Sequence, residues 1–242
     1  MTNIAVVTGA GSGVGRAVVL ELAKRGYQVA LLGRRVEPLE ETIRLAGGGA
    51  GTGGAGRNLS AIACDISKVQ DVGAMCGRVR AEFGSPSVLV NSAGTNVARR
   101  SLAELSLADY QHVIDVNLNG AFLVTHAFLP DMRKAGRGTI VHVVSDAGLT
   151  ANRVSGAAYV ASKFGVTGLT AAINCEERKN GIRACGIFPG EIDTPLLKKR
   201  AILPDQEQRK RMLQPEDVAE CVMLAINLPE RAVVEQLLVR PR

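Results

Sequence analysis

Short, continuously apolar runs alternate along this chain with longer segments in which apolar residues recur at helical spacing. No other feature restricts the fold as much. The runs fall at 4–8, 29–32, 59–64, 88–90, 139–144, 183–188 and 233–239, and the helical segments at 14–26, 36–46, 68–83, 109–135, 157–180 and 215–228. A strand with one face in water alternates apolar and polar residues, whereas a strand covered on both faces is apolar throughout. Repeated strand–helix–strand units require right-handed crossovers and place helices on both sides of the sheet. The expected fold is therefore α/β: three layers, doubly wound, with a mostly parallel sheet of about seven strands. Gly26 after the first helix and Pro130 late in the fourth are punctuation of the expected kind. One such sheet uses the whole chain, 1–242, so a single domain is expected.

With 46% apolar and 21% charged residues among 242, the chain can bury a substantial core, which excludes disorder of the whole. No apolar run approaches the ~18 residues of a membrane span. The N-terminus enters a strand without a signal-peptide pattern, so a soluble, cytoplasmic protein is expected. The net charge of +6 raises the question of nucleic acid, but aromatics make up 3% and there is no Trp. A base-stacking platform is thus disfavoured, and neither a nucleic-acid nor a membrane partner is expected. Cysteines 64, 76, 175, 185 and 221 and histidines 112, 126 and 142 show no metal-ligand spacing, and no metal is expected. The tract Gly47–Gly56 reads as a flexible surface connection.

Thr8-Gly-Ala-Gly-Ser-Gly-Val-Gly15 follows the first strand and opens the first helix. Glycines there allow a sharp turn and close approach of a pyrophosphate, which the helix N-terminus would hold with free N–H groups. The spacing is Gly9-x-x-x-Gly13-x-Gly15; no Gly-Lys-Ser/Thr follows, which excludes a P-loop. A merely tight strand–helix turn would use the same residues. In a Rossmann-type fold the end of the second strand selects the dinucleotide. Here it carries Gly33-Arg34-Arg35 and no acid until Glu37. A guanidinium fork suits a 2′-phosphate, which points to NADP(H), with NAD(H) possible; ordinary solvated charges are the alternative.

Tyr159-Val-Ala-Ser-Lys163 places a phenol and an ammonium at i and i+4, on one helix face. A nearby ammonium stabilises a phenolate and lowers its pKa. Ser145 lies fourteen residues before Tyr159. Thr8–Gly15, Cys64-Asp65, Asn91-Ser92-Ala93-Gly94, Asn117 in Val-Asn-Leu-Asn-Gly, Ser145, Tyr159/Lys163 and Pro189-Gly190 with Thr194 occur in that order. On these motifs the sequence closely resembles the short-chain dehydrogenase/reductase family, in its single-domain branch, over essentially its whole length. The family usually has Asn where Ser92 stands, and many NADP-preferring members have a basic residue where Ser12 stands.

The resemblance implies an NADP(H)-dependent oxidoreductase that interconverts a small-molecule carbonyl compound and a secondary alcohol. Tyr159 would be the acid/base. Ser145 would polarise the substrate oxygen, and Lys163 would bind the nicotinamide ribose and lower the pKa of Tyr159. Asn117 would hold a relay water. Gly9, Ser12, Gly13, Val14 and Gly15 would surround the diphosphate, and Arg34 and Arg35 the ribose phosphate. Asp65 and Ile66 would meet the adenine, with Asn91, Ser92, Ala93 and Gly94 on the adenosine side. Pro189, Gly190, Ile192 and Thr194 would enclose the nicotinamide end. A homo-oligomer, dimer or tetramer, packed through 109–135 and 157–180 is implied as well. A non-catalytic dinucleotide-sensing regulator is the alternative, and retention of Ser145, Tyr159 and Lys163 speaks against it.

Other candidates have plainer readings. Ser155 reads as a loop residue and His142 as a buried, hydrogen-bonded imidazole. Glu40-Glu41 and Glu176-Glu177 are sequence neighbours whose side chains diverge, as on solvated faces. Segment 195–214 corresponds in position to a substrate lid. Its six basic residues could steer an anionic substrate, or they could simply be solvated.

Overall fold

The computed structural model describes residues 3–47, 58–200 and 202–242. The connection expected at 47–56 lies, beyond Gly47, outside them. Seven strands, β1 (Ile4–Thr8), β2 (Gln28–Gly33), β3 (Leu59–Ala63), β4 (Val88–Asn91), β5 (Gly138–Val143), β6 (Ile182–Pro189) and β7 (Gln236–Val239), form one sheet. Every pairing is parallel and the order is β3-β2-β1-β4-β5-β6-β7. The helices are α1 (Gly13–Lys24), α2 (Glu37–Leu45), α3 (Val69–Glu82), α4 (Leu107–Ile114), α5 (Gly120–Ala135), α6 (Ala157–Glu177), α7 (Gln206–Lys210) and α8 (Pro215–Asn227). Among the described residues no helix is long and apolar enough to cross a membrane.

The unbroken apolar strands serve two cores. Ala5, Val7, Val29, Leu31, Val88 and Val90 face one way, against Val18 and Leu22 of α1 and Val218 and Val222 of α8. Val6, Ala30, Leu32, Leu89 and Ile140 face the other, against Met75 and Val79 of α3, Val124 and Phe128 of α5, and Ile173 of α6. Side chains alternate across a strand, so both sets must be apolar when both faces are covered.

Several boundaries differ from the sequence reading, each for a visible reason. The segment expected as one helix over 109–135 starts at Leu107, where the Ser106 hydroxyl accepts the Asp109 amide at 3.0 Å. It then widens into a π turn at Asp115–Asn119. Pro130 lies inside α5, which runs on to Ala135. The last strand starts at Gln236 rather than at 233. Before it, the Arg183 guanidinium takes the carbonyls of Ile226, Leu228, Pro229 and Ala232, so that backbone needs no ladder. Glu177 is not on a solvated face: it is buried and held by Arg133 and Asn180 at 2.5–2.8 Å.

Candidate functional site

Crossovers leave β1 in one direction and β4 in the other, so the chain parts above their carboxyl ends and opens a crevice there. Thr8 ends β1, fully buried, and its hydroxyl accepts the amides of Ser92 and Ala93, both at 3.0 Å. The turn after β4 is thereby tied to the turn after β1. Gly9 makes the contact possible: its φ is +67°, and a Cβ there would lie 2.8 Å from the Ala93 Cα. Thr8→Val keeps the shape but strands two amides, and should lower unfolding free energy by about 2 kcal/mol in urea titrations.

α1 begins at Gly13, its N-cap Ser12 extended and making no side-chain cap, with no acid in the first turn. Its first amides therefore carry the partial positive charge of a helix start without a local partner. Gly15 is buried against the Gly9 carbonyl, which a Cβ would strike, so it sets how closely α1 packs on the turn. Two grooves meet at this turn. The outer, about 220 Å³, is lined by Gly9, Ser12, Arg34, Arg35, Asp65, Ile66, Ala93 and Gly94. The inner, about 190 Å³, is lined by Gly9, Ser12, Gly13, Val14, Ser92, Ala93, Gly94, Ser145, Tyr159, Lys163, Pro189, Gly190, Ile192 and Thr194. The sequence-predicted residues thus converge, apart from Gly15, Asn91 and Asn117. Asn91 turns into the core, where its amide donates to Thr125 Oγ1 at 3.1 Å. Asn117, from the π turn, clasps the Thr95 backbone with Oδ1 on its N–H (2.7 Å) and Nδ2 on its C=O (3.0 Å), and Nδ2 also reaches Ser162 Oγ. A π turn interrupting a helix beside a cleft is a recurrent functional feature.

At the outer end, burial works to raise the Asp65 pKa. Hydrogen bonds from the Ser67 hydroxyl and amide, with the Arg34 guanidinium nearby, outweigh it and hold the carboxyl below its ordinary value. At the inner end, Ser145 follows β5 while Tyr159 and Lys163 project from the first turns of α6. Burial pushes the Tyr159 phenol up to about 12; a hydrogen bond with Ser145 pulls it down, Asp146 raises it, and Arg100 and Arg200 lower it. The lowering expected from Lys163 is not what acts here. Burial brings that ammonium to about 8, and its Nζ donates to the Val143 carbonyl at 2.9 Å, 5.6 Å from the Tyr159 ring centre.

A third cavity, about 320 Å³, opens beyond Ser145 and Tyr159 and is lined also by Asn96, Arg100, Val154, Ser155 and Leu197. Sequence reasoning passed over Asn96 and Arg100 and took Ser155 for a loop residue, because no spacing relates them to Tyr159. His142 is fully buried, Nδ1 2.8 Å from Thr170 Oγ1, as read from the sequence.

The residues fit a nicotinamide dinucleotide: glycine backbone and a helix start for a diphosphate, cations at the outer end, and Ser–Tyr–Lys at the inner end. Fold and site define a Rossmann-type α/β protein with a hydroxyl–phenol–ammonium constellation at the switch point. The short chain dehydrogenase profile matches residues 3–202, and the chain belongs to that family. It is 31% identical to an uncharacterized oxidoreductase of Staphylococcus saprophyticus over 99% of this chain and 97% of that one. Among solved structures it is similar to an alcohol dehydrogenase of the archaeon Thermococcus sibiricus complexed with 5-hydroxy-NADP, at TM-score 0.87 and 29% identity, covering 100% of this chain and 97% of that one. It also resembles a metagenomic short-chain oxidoreductase in complex with NADP, at TM-score 0.82 and 32% identity, covering 99% and 97%. The protein is an NAD(P)-dependent oxidoreductase of small molecules.

Proposed function

We propose that the protein interconverts a ketone or aldehyde and the corresponding alcohol, using NADP(H) in preference to NAD(H). The observation that carries this reading is the placement of Ser145 and Tyr159 together on the wall shared by the 320 Å³ cavity on one side and the inner groove on the other. When bound, the nicotinamide supplies or accepts a hydride. In reduction, the carbonyl carbon gains that hydride, the carbonyl π pair moves onto oxygen, and Tyr159 gives oxygen a proton. Ser145 donates a hydrogen bond to the developing alkoxide. Lys163 would bind the ribose hydroxyls from its place on the Val143 carbonyl, with its positive charge 5.6 Å from the centre of the phenol ring. Asn117 holds a water that returns protons to Lys163 from solvent.

The start of α1 would hold the phosphates, Arg34 and Arg35 the ribose 2′-phosphate, and Asp65 and Ile66 the adenine; the 5-hydroxy-NADP and NADP bound in two structural neighbours support NADP(H) as the cofactor. Segment 195–214 acts as the lid, latched by Lys199 Nζ on Thr95 Oγ1 at 2.7 Å. The protein works in the cytoplasm, whose reducing conditions suit its five free thiols, as a homo-oligomer covering the exposed Leu107, Tyr110, Phe122 and Phe164. Purified protein should oxidise NADPH when given a panel of ketones; cofactor binding without turnover would favour a dinucleotide sensor instead. Arg34→Glu should weaken NADPH relative to NADH by roughly 10- to 100-fold in parallel titrations, and an unchanged ratio would remove Arg34 from phosphate recognition.

A further inference from the structure

The 320 Å³ cavity beyond Tyr159 has an apolar side, made by Val154, Leu196 and Leu197, and a polar side whose groups are nearly all committed elsewhere. Asn96 Nδ2 donates to the Ser155 carbonyl while its Oδ1 accepts the Val97 amide, and Asn152 Oδ1 accepts the Ser155 amide. Arg200 is ion-paired with Glu191 at 2.8 Å, and the Asp146 carboxylate faces Arg240 at 3.8 Å.

Arg100 is the exception. Its Nη1 donates to the Val154 carbonyl at 3.1 Å and its Nη2 to the Lys199 carbonyl, both neutral acceptors. Among the described residues no carboxylate pairs with it. A guanidinium offers five N–H donors, so most of this fork is left over. Burial, followed by the like charge of Arg200, draws its pKa below the ordinary arginine value. A guanidinium that lines a cavity with N–H donors to spare and no carboxylate partner is placed to take an anion there through charge-assisted hydrogen bonds.

The backbone also fixes where this charge stands. The Ala157 amide donates to the Arg100 carbonyl at 3.3 Å. Gly156, at φ +76°, lies so close that a Cβ there would meet the Arg100 Cβ at 2.6 Å. Arg100 is thereby tied to the start of α6, immediately before Tyr159.

We infer that Arg100 anchors an anionic group of the substrate, so that the natural substrate is a carbonyl compound (or its alcohol) carrying a carboxylate. This rests on the redox reading above and adds the substrate class. A carboxylate fits better than a phosphate, because Glu191 already neutralises Arg200 and leaves one cation for a monoanion. The reducible carbon then lies at Ser145 and Tyr159, the carboxylate at Arg100, and the connecting chain against Val154 and Leu197.

The test uses straight-chain 2-, 3- and 4-oxo acids, each beside its methyl ester, reduced with NADPH by the full-length protein. In parallel, the thermal midpoint of the protein–NADP⁺ complex is measured with the corresponding hydroxy acids and their esters. At least one acid should exceed its ester in kcat/KM by roughly 10- to 100-fold, the range of a charge-assisted contact. Arg100→Gln, whose amide can still donate to the Val154 carbonyl, should abolish that ratio, and Arg100→Lys should restore part of it. Hydroxy acids but not esters should raise the wild-type midpoint, and the rise should vanish in Arg100→Gln. Equal use of acid and ester, or an acid preference that survives Arg100→Gln, overturns the inference. An Arg100-dependent midpoint rise without turnover would overturn the redox reading and leave the anion site standing; neither rise nor turnover would overturn both.

Discussion

Tyr159→Phe should lower kcat/KM for ketone reduction by about 10²- to 10⁴-fold, the usual worth of a positioned general acid. NADPH affinity should change little. The substitution removes one oxygen and keeps the ring, so the start of α6 retains its packing, while the amides at the start of α1 and the outer-groove arginines are untouched. With burial pushing the wild-type phenol up to about 12, it holds its proton throughout the neutral range and is ready to donate. Ser145 cannot replace it, because a serine hydroxyl is a far weaker acid than a phenol. Lys163, brought to about 8 by burial, is the nearby group placed to titrate within the working range. Rates and binding constants measured on the same preparation decide the matter; turnover within a few fold of wild type would show that the proton comes from elsewhere.

The sheet was legible because its strands are covered twice over, and a continuous apolar run such as Ile4–Thr8 has few other uses. The glycine turn was legible because its residues are dictated by local backbone geometry. Tyr159 and Lys163 share a helix face by spacing alone, but spacing cannot reveal that the Lys163 ammonium rests on the Val143 carbonyl, twenty residues away. The same limit explains the other differences. Glu177 looks solvated beside Glu176 until Arg133, on another helix, is seen to grip it. The π turn at Asn117 depends on Thr95, brought alongside only by the completed fold. Arg100 is one of 29 basic residues, and what sets it apart is its place in the wall of the 320 Å³ cavity without a carboxylate partner, which no pattern in the chain records. Local rules thus reach the scaffold and the motif residues, and long-range electrostatics decide how those residues behave.

His142 should make the fold sensitive to mild acid. Its ring is fully buried beneath the site, between Thr170 Oγ1 at 2.8 Å and Thr125 Oγ1 at 3.5 Å, and burial, aided by the charge of Lys163, drives its pKa down to about 3. An unfolded chain takes up a proton at this histidine near pH 6.5, whereas the folded chain refuses it until about pH 3. Its contribution is therefore intact above pH 6.5 and is lost progressively as the pH falls between those values. Each pH unit well inside the window costs about 1.4 kcal/mol, or roughly 2 kcal/mol from pH 6.5 to 4.5. Glu177 acts in a lower window. The Arg133 guanidinium holds its carboxyl at about 2 against an ordinary 4.5, so its contribution is intact above 4.5 and fades only as the pH drops toward 2. The two groups separate along the pH axis. Urea unfolding of wild type and His142→Gln at fixed protein concentration, from pH 7.5 to 4.5, isolates the histidine. The variant starts less stable, having lost packing against Thr170, but its decline toward pH 4.5 should be shallower by about 2 kcal/mol. Parallel declines would mean that the folded protein admits a proton at His142 near its ordinary pKa, and the polar cluster under the site would then have to accommodate a charged ring.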